Sequence, residues 1–214
     1  MTRHRKPDEW IEEILAAAGD EIEEKGYPAL TMDAIAGRIE LSKGGVYRFF
    51  ANKTEVALAL FTRCYRDSLD VDVEEAIGWN LPPAQTFFRV ALRFQTSKQE
   101  TARQDRIWLA LMPEVLRDDR FKMERLRLLD QIVRKFGEIA VRLAQRDNLE
   151  IPEGFEGRVE RNIRLGVVLF EGFTIQGSLG ASREEQEDLA RHFMEVLVTD
   201  TLGTAGDSEK GAAG

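Results

Sequence analysis

Cysteine occurs once in the chain, at Cys64, so no intrachain disulfide can form. Its neighbours Leu60, Phe61 and Tyr65 point to a small buried hydrophobe and not to a redox centre. Histidine occurs twice, His4 near the N-terminus and His192 close to the C-terminus, which leaves no His-based metal site and no Ser-His-Asp triad. Lys43-Gly44-Gly45 lacks the spacing of a phosphate-binding P-loop. No catalytic residue, metal ligand or cofactor is therefore expected. A long apolar run is missing as well: Val167 to Phe170 is cut by Glu171, far short of the roughly 20 residues that cross a bilayer. The basic start Arg3, His4, Arg5, Lys6 runs into Asp8, Glu9, Glu12 and Glu13 where a signal peptide would need apolar residues. A cytoplasmic protein with no membrane partner is the expectation. An excess of positive charge is also absent, since 38 acidic residues outnumber 30 basic ones for a net charge of -8. That excludes a protein coated in cations for nonspecific nucleic-acid binding, but it leaves room for a local basic patch.

Proline is scarce at 6 residues, and strand-like alternation and internal repeats are lacking. Helical periodicity takes their place, and the fold class is all-α. Ile11, Ile14, Leu15, Ala18 and Ile22 form one apolar stripe over 8–25, closed by Gly26 and Pro28. Thr31 caps a short helix whose Met32, Ile35, Ala36 and Ile39 share a face, and a turn through Glu40 and Leu41 follows. Ser42 caps a second short helix reaching Phe50, with Val46, Phe49 and Phe50 inward and Lys43, Gly44, Tyr47 and Arg48 outward. Asn52 with Glu55 three residues on resembles a capping box, opening a helix through Leu69. Trp79 to Pro83 read as a connection. Helices are then predicted over 84–98, 103–112, 120–147, 158–179 and 183–201, with Pro113 as a break or kink. The Gly- and Ala-rich tail 203–214 is expected to be disordered.

Two short capped helices joined by a tight turn match the helix-turn-helix plan, whose second helix enters the DNA major groove. The inward residues are explained by ordinary packing; the outward face needs another cause. Gly44 and Gly45 each cost about 1 kcal/mol of helix propensity relative to alanine, which implies close approach to a phosphate or base edge. Between Ser42 and Arg66, Lys43, Arg48, Lys53, Arg63 and Arg66 are opposed only by Glu55.

The run from Leu30 to Ala36, then Leu41-Ser42-Lys43-Gly44-Gly45-Val46-Tyr47-Arg48-Phe49-Phe50, then Asn52-Lys53-Thr54-Glu55, resembles the DNA-binding signature of the tetracycline-repressor (TetR) family over about residues 9 to 60. The resemblance implies a three-helix DNA-binding domain over 1–51 and a larger helical ligand-binding and dimerisation domain over 52–202. It also implies that Thr31, Ser42 and Lys53 bind phosphates, that Tyr47 touches a phosphate or a thymine methyl, and that Lys43, Gly44 and Arg48 lie nearest the bases. Arg48 has the fork to pair guanine O6 and N7, although a phosphate contact serves it equally well. The tail residues Arg3, Arg5 and Lys6 are read as solvated. One departure is Glu40, in a turn position where the family often has glycine.

The implied partners are double-stranded DNA carrying an inverted-repeat operator, a small-molecule effector and a second copy of the chain. The implied action is repression relieved by the effector. For dimerisation, Leu189, Phe193, Val196 and Leu197 form one stripe, and Gly166, Gly172 and Gly177 offer close-packing positions. For the effector, Phe88, Gln95, Trp108, Met112, Phe136, Phe170, Glu171 and Thr174 are the candidates, with Asn162 and Gln176 as further polar groups. Plain core packing is the readier explanation of each aromatic taken singly, and an apolar and a cationic effector both stay open. Such a ligand is expected to act by shifting the helix over 52–69.

Overall fold

The computed structural model describes residues 6–93, 98–149, 151 and 153–202. Arg3, His4, Arg5, Gln95, Pro152 and the tail 203–214 lie outside the described residues. Among those described there are eleven α-helices and no strand. No helix is long and apolar enough to cross a membrane, and no group of three or more His, Cys, Asp or Glu among these residues is arranged to hold a metal ion. The chain forms two compact units, one from residues 1–66 and 97–126, the other from 67–96 and 127–214.

The first unit begins with α1 (Pro7–Lys25). Its opening turn carries Pro7, Asp8 and Glu9, which suit the positive end of the helix dipole, and Gly26 ends it at φ +79, a conformation side chains resist. After a 3-10 turn over Tyr27–Ala29, α2 (Met32–Arg38), α3 (Lys43–Tyr47) and α4 (Lys53–Cys64) follow. The three caps predicted from sequence all form: Thr31 Oγ1 accepts from Ala34 N–H at 3.0 Å, Ser42 Oγ from Gly45 N–H at 3.1 Å, and Asn52 Oδ1 from Glu55 N–H at 3.0 Å. Ile14, Ile35, Val46, Val56 and Phe61 are fully buried between these helices.

The helix expected over 52–69 is interrupted. α4 stops at Cys64, Tyr65 adopts φ -101 and ψ 0, and a single turn, α5 (Arg66–Leu69), resumes. Tyr65 is held there, because its hydroxyl accepts the Trp108 indole N–H at 3.0 Å and its ring lies edge-on to Phe61 at 5.3 Å. Half-buried Cys64 donates to the Leu60 carbonyl at 3.4 Å. Burial pushes its thiol up to about 12, so it stays protonated and unreactive.

α8 (Lys98–Arg117) completes the unit with the first turns of α9 (Asp119–Arg146). Pro113 does not break α8, contrary to one of the two outcomes expected of it. Leu111 and Val115, buried on either side, anchor the helix through it. α8 is also fastened to α1. Arg103 donates to the Ala16 carbonyl at 3.1 Å and ion-pairs with Asp20, and Arg106 pairs with Glu23. Gly19 allows this approach, since a Cβ there would sit 3.0 Å from the Arg103 guanidinium and 3.1 Å from Ile107.

The second unit contains a helix outside the expectations drawn from sequence, α6 (Val73–Gly78), capped by Asp72, whose carboxylate accepts from Glu75 N–H at 3.1 Å. α7 (Pro83–Arg93), the rest of α9, α10 (Phe155–Ser178) and α11 (Arg183–Leu202) complete it. Phe87 stacks on Phe136 at 6.2 Å, and Arg191 lies over the Phe88 ring at 4.4 Å. Asn162 does not point into a cavity. It is buried between α10 and α11, donating to Asp200 at 2.7 Å and to Thr201 Oγ1 at 2.8 Å, a paired polar lock.

Candidate nucleic-acid interface

Residues 31–53 present a polar face whose backing is apolar. Val46 is fully buried under α3, while Ser42, Lys43, Gly44, Tyr47 and Arg48 are exposed. α3 is shorter than the helix predicted to Phe50. Arg48 and Phe49 close it in a hydrogen-bonded turn, Phe49 N–H donating to the Val46 carbonyl at 3.0 Å. A start at two glycines and the Asn52 cap close behind leave room for little more than one turn.

The two glycines differ in their surroundings. A Cβ on Gly45 would crowd the Leu41 side chain at 3.0 Å, so a side chain there fits only if Leu41 gives way. A Cβ on Gly44 would touch only Ser42 Oγ at 3.9 Å, so nothing within the unit requires glycine there. Glu40 sits in the turn without strain. Among the described residues the non-glycines with positive φ are Asn80 and Asn148, so this turn does not require glycine. Nor does Glu40 hold Arg38, whose guanidinium is bound by Glu21 and Glu24. Lys25 and Arg38 hold the Glu21 carboxyl below its ordinary range, and Arg38 does the same for Glu24. This brace ties α1 to α2 behind the turn.

The basic patch read from sequence is real but largely answered by carboxylates from elsewhere in the chain. Lys43 Nζ lies 2.6 Å from Asp33 Oδ2, and that partner raises the lysine's pKa. Glu12 takes Arg63 at 2.8 Å and Arg66 at 3.1 Å. Lys53 donates to the Pro28 carbonyl at 3.3 Å and lies 4.9 Å over the Tyr27 ring, which fixes its stem while the residue stays half-exposed. Arg48 has no side-chain hydrogen bond or ion pair among the described residues. Asp33 and Glu12 carried no local signal in the sequence.

The effector candidates fall in both units. Trp108 and Met112 belong to the first unit, and Phe88, Phe136, Phe170, Glu171 and Thr174 to the second. Trp108, Phe88 and Phe136 are each 8% exposed. Phe170, Glu171 and Thr174 are half-buried on α10. A cleft of about 340 Å³ opens elsewhere in the second unit, lined by Asp70 to Glu74, Lys135 and Glu138, and none of the candidates lines it.

A capped helix pair with an exposed, glycine-opened second helix defines a helix-turn-helix transcriptional regulator that binds DNA. Comparison with known proteins gives the family. The family model for bacterial regulatory proteins of the tetR family matches residues 14–60. The uncharacterized HTH-type transcriptional regulator YdeS of Bacillus subtilis (strain 168) is 32% identical over 145 residues, covering 64% of this chain and 68% of that protein. The chain belongs to the TetR family. A candidate TetR-family regulator from Mesorhizobium loti MAFF303099 has the same fold, with a TM-score of 0.71 at 15% identity over 92% of this chain and 98% of that one. So does a candidate transcriptional regulator from Saccharomonospora viridis in complex with choline, with a TM-score of 0.64 at 16% identity over 89% and 96%.

Proposed function

We propose that the chain is a ligand-responsive repressor that acts in the cytoplasm by binding and not by catalysis, holding an inverted-repeat operator as a homodimer and leaving it when a small molecule binds. The observation that carries this reading is the exposed outer face of α3, where Tyr47 is 46% exposed and Arg48 is unengaged among the described residues. Lys43, Gly44 and Arg48 lie nearest the bases, Thr31, Ser42 and Lys53 hold phosphates, and Tyr47 touches a phosphate or thymine methyl. The functional division falls at 51/52, with reading before it and sensing and dimerisation after it.

Dimerisation is supported by an apolar stripe left uncovered on α10 and its C-cap residue, Leu179. Leu165, Val168, Ile175 and Leu179 follow one another at steps of three, seven and four, each at least 43% exposed, and a methyl group placed on Gly172 between them would meet nothing within 4 Å. Leu189 and Val196 extend the exposed apolar surface onto α11. A second copy of the same stripe covers it by two-fold symmetry. Sensing belongs to the helices after residue 51, and the choline-bound neighbour supports a small molecule within such a fold. The proposed motion differs from a swing of one long helix over 52–69, because α4 ends at Cys64 and the Arg103 and Arg106 pairs bind α8 to α1. Displacing α4 therefore carries its unit with it.

Selection from a random duplex pool tests the reading. An inverted repeat is expected, and recovery of no preferred sequence rules the reading out.

A further inference from the structure

Resting on that DNA-reading role, we propose that Asp33 is a specificity-determining residue: it holds Lys43 for base edges and against phosphates. Asp33 stands in the first turn of α2 and Lys43 at the first position of α3, ten residues apart. Across the turn their charged ends meet at 2.6 Å, with side chains 66% and 53% exposed. A lysine ammonium carries three donors, so one can stay on Asp33 while the other two serve neutral acceptors such as guanine O6 and N7. A phosphate is different. It is an anion, and an ammonium that approaches it brings the Asp33 carboxylate along to be repelled, unless the pair opens first.

Sequence-independent affinity for a duplex comes from cations that neutralise phosphates and release the DNA's counterions. Lys43 already carries its own neutralising group and contributes little to that release. The same logic applies around it: Glu12 occupies Arg63 and Arg66, which leaves Arg48 as a cation beside α3 with no carboxylate on it among the described residues. An acidic chain of net charge -8 thus keeps a recognition surface with weak general affinity for DNA. Binding then depends on contacts that a particular sequence offers.

The experiment compares wild type, Asp33→Asn, Asp33→Glu, Lys43→Ala and the double variant Asp33→Asn/Lys43→Ala. Each is titrated over a range of salt against a duplex the wild type selects and a random-sequence duplex of equal length. Asp33→Asn is expected to bind the random duplex about two- to five-fold more tightly per recognition helix. Its salt slope should steepen by about 1 per recognition helix. The ratio of selected to random affinity should fall. Asp33→Glu should keep the wild-type slope, and the double variant should match Lys43→Ala, because the aspartate acts only through the lysine. An unchanged slope and ratio in Asp33→Asn overturns the inference. Parallel weakening on both duplexes with a lowered melting temperature also overturns it, since Asp33 would then serve only the α2 terminus. A wild type that selects no sequence overturns the DNA-reading role itself, a result distinct from either.

Discussion

The outer face of α3 and the uncovered face of α10 and α11 are both exposed, yet they are made of opposite materials. The first is polar, and its Lys43 is neutralised by a carboxylate of its own unit, Asp33. It is satisfied in water, so it can attach and release. The second is a row of Leu165, Val168, Ile175 and Leu179 with no such internal satisfaction, and burying it against a copy of itself gains free energy in proportion to the apolar area covered. The proposed function uses both kinds of surface: a permanent one to set the spacing of two reading heads and a reversible one to read.

The comparison breaks most severely at the apolar face. Replacing Val168 and Leu179 together with Glu should convert a dimer to a monomer at micromolar concentration in light scattering. Operator affinity should then fall by at least about 100-fold, because the second half-site is no longer held at high effective concentration. The fold within each chain should survive, as both side chains are exposed at 62% and 76%. The next largest effect is at the polar face. Arg48→Ala should cost about 1 to 3 kcal/mol on the selected operator and relax preference at one base pair in each half-site if the guanidinium reads guanine. A phosphate contact would instead lower affinity for every sequence alike. Lys53→Ala should do only the latter, flattening the salt slope by about 1 per recognition helix without changing preference. The smallest change is in packing behind the face. Gly45→Ala should destabilise the first unit modestly, since Leu41 must yield at 3.0 Å while the helix gains about 1 kcal/mol of propensity. Gly44→Ala, with open space above it, should raise the melting temperature and weaken DNA binding.

What was legible in the sequence follows from the range of each interaction. The caps at Thr31, Ser42 and Asn52 lie within three residues of the N–H groups they bind, so residue order alone locates the helix starts. The same signal, Asp72 with Glu75 three residues on, marks the start of α6, which the apolar periodicity of so short a helix does not announce. Endings were harder. α4 stops where Trp108 captures Tyr65, 43 residues away in the chain, and α8 runs through Pro113 on packing that no local pattern reveals. The site divides in the same way. Its outward residues follow from helical periodicity, but the partners that set their electrostatics, Asp33 and Glu12, are brought in by tertiary folding. Among the effector candidates, Trp108, Phe88 and Phe136 are buried, as large aromatics usually are. Composition cannot distinguish a pocket wall from a packed interior.

The apolar face, on this account, fixes the spacing at which two polar faces meet one side of a duplex. Inserting about 5 base pairs, half a helical turn, between the half-sites of the selected operator turns one half-site to the opposite side. Measured by fluorescence anisotropy, affinity should collapse to that for a random duplex, and insertion of about 10 base pairs, a full turn, should not restore it fully, because the dimer holds its reading helices at one separation. Affinity unchanged by the half-turn insertion would contradict the account, since each α3 would then be reading DNA independently of its partner.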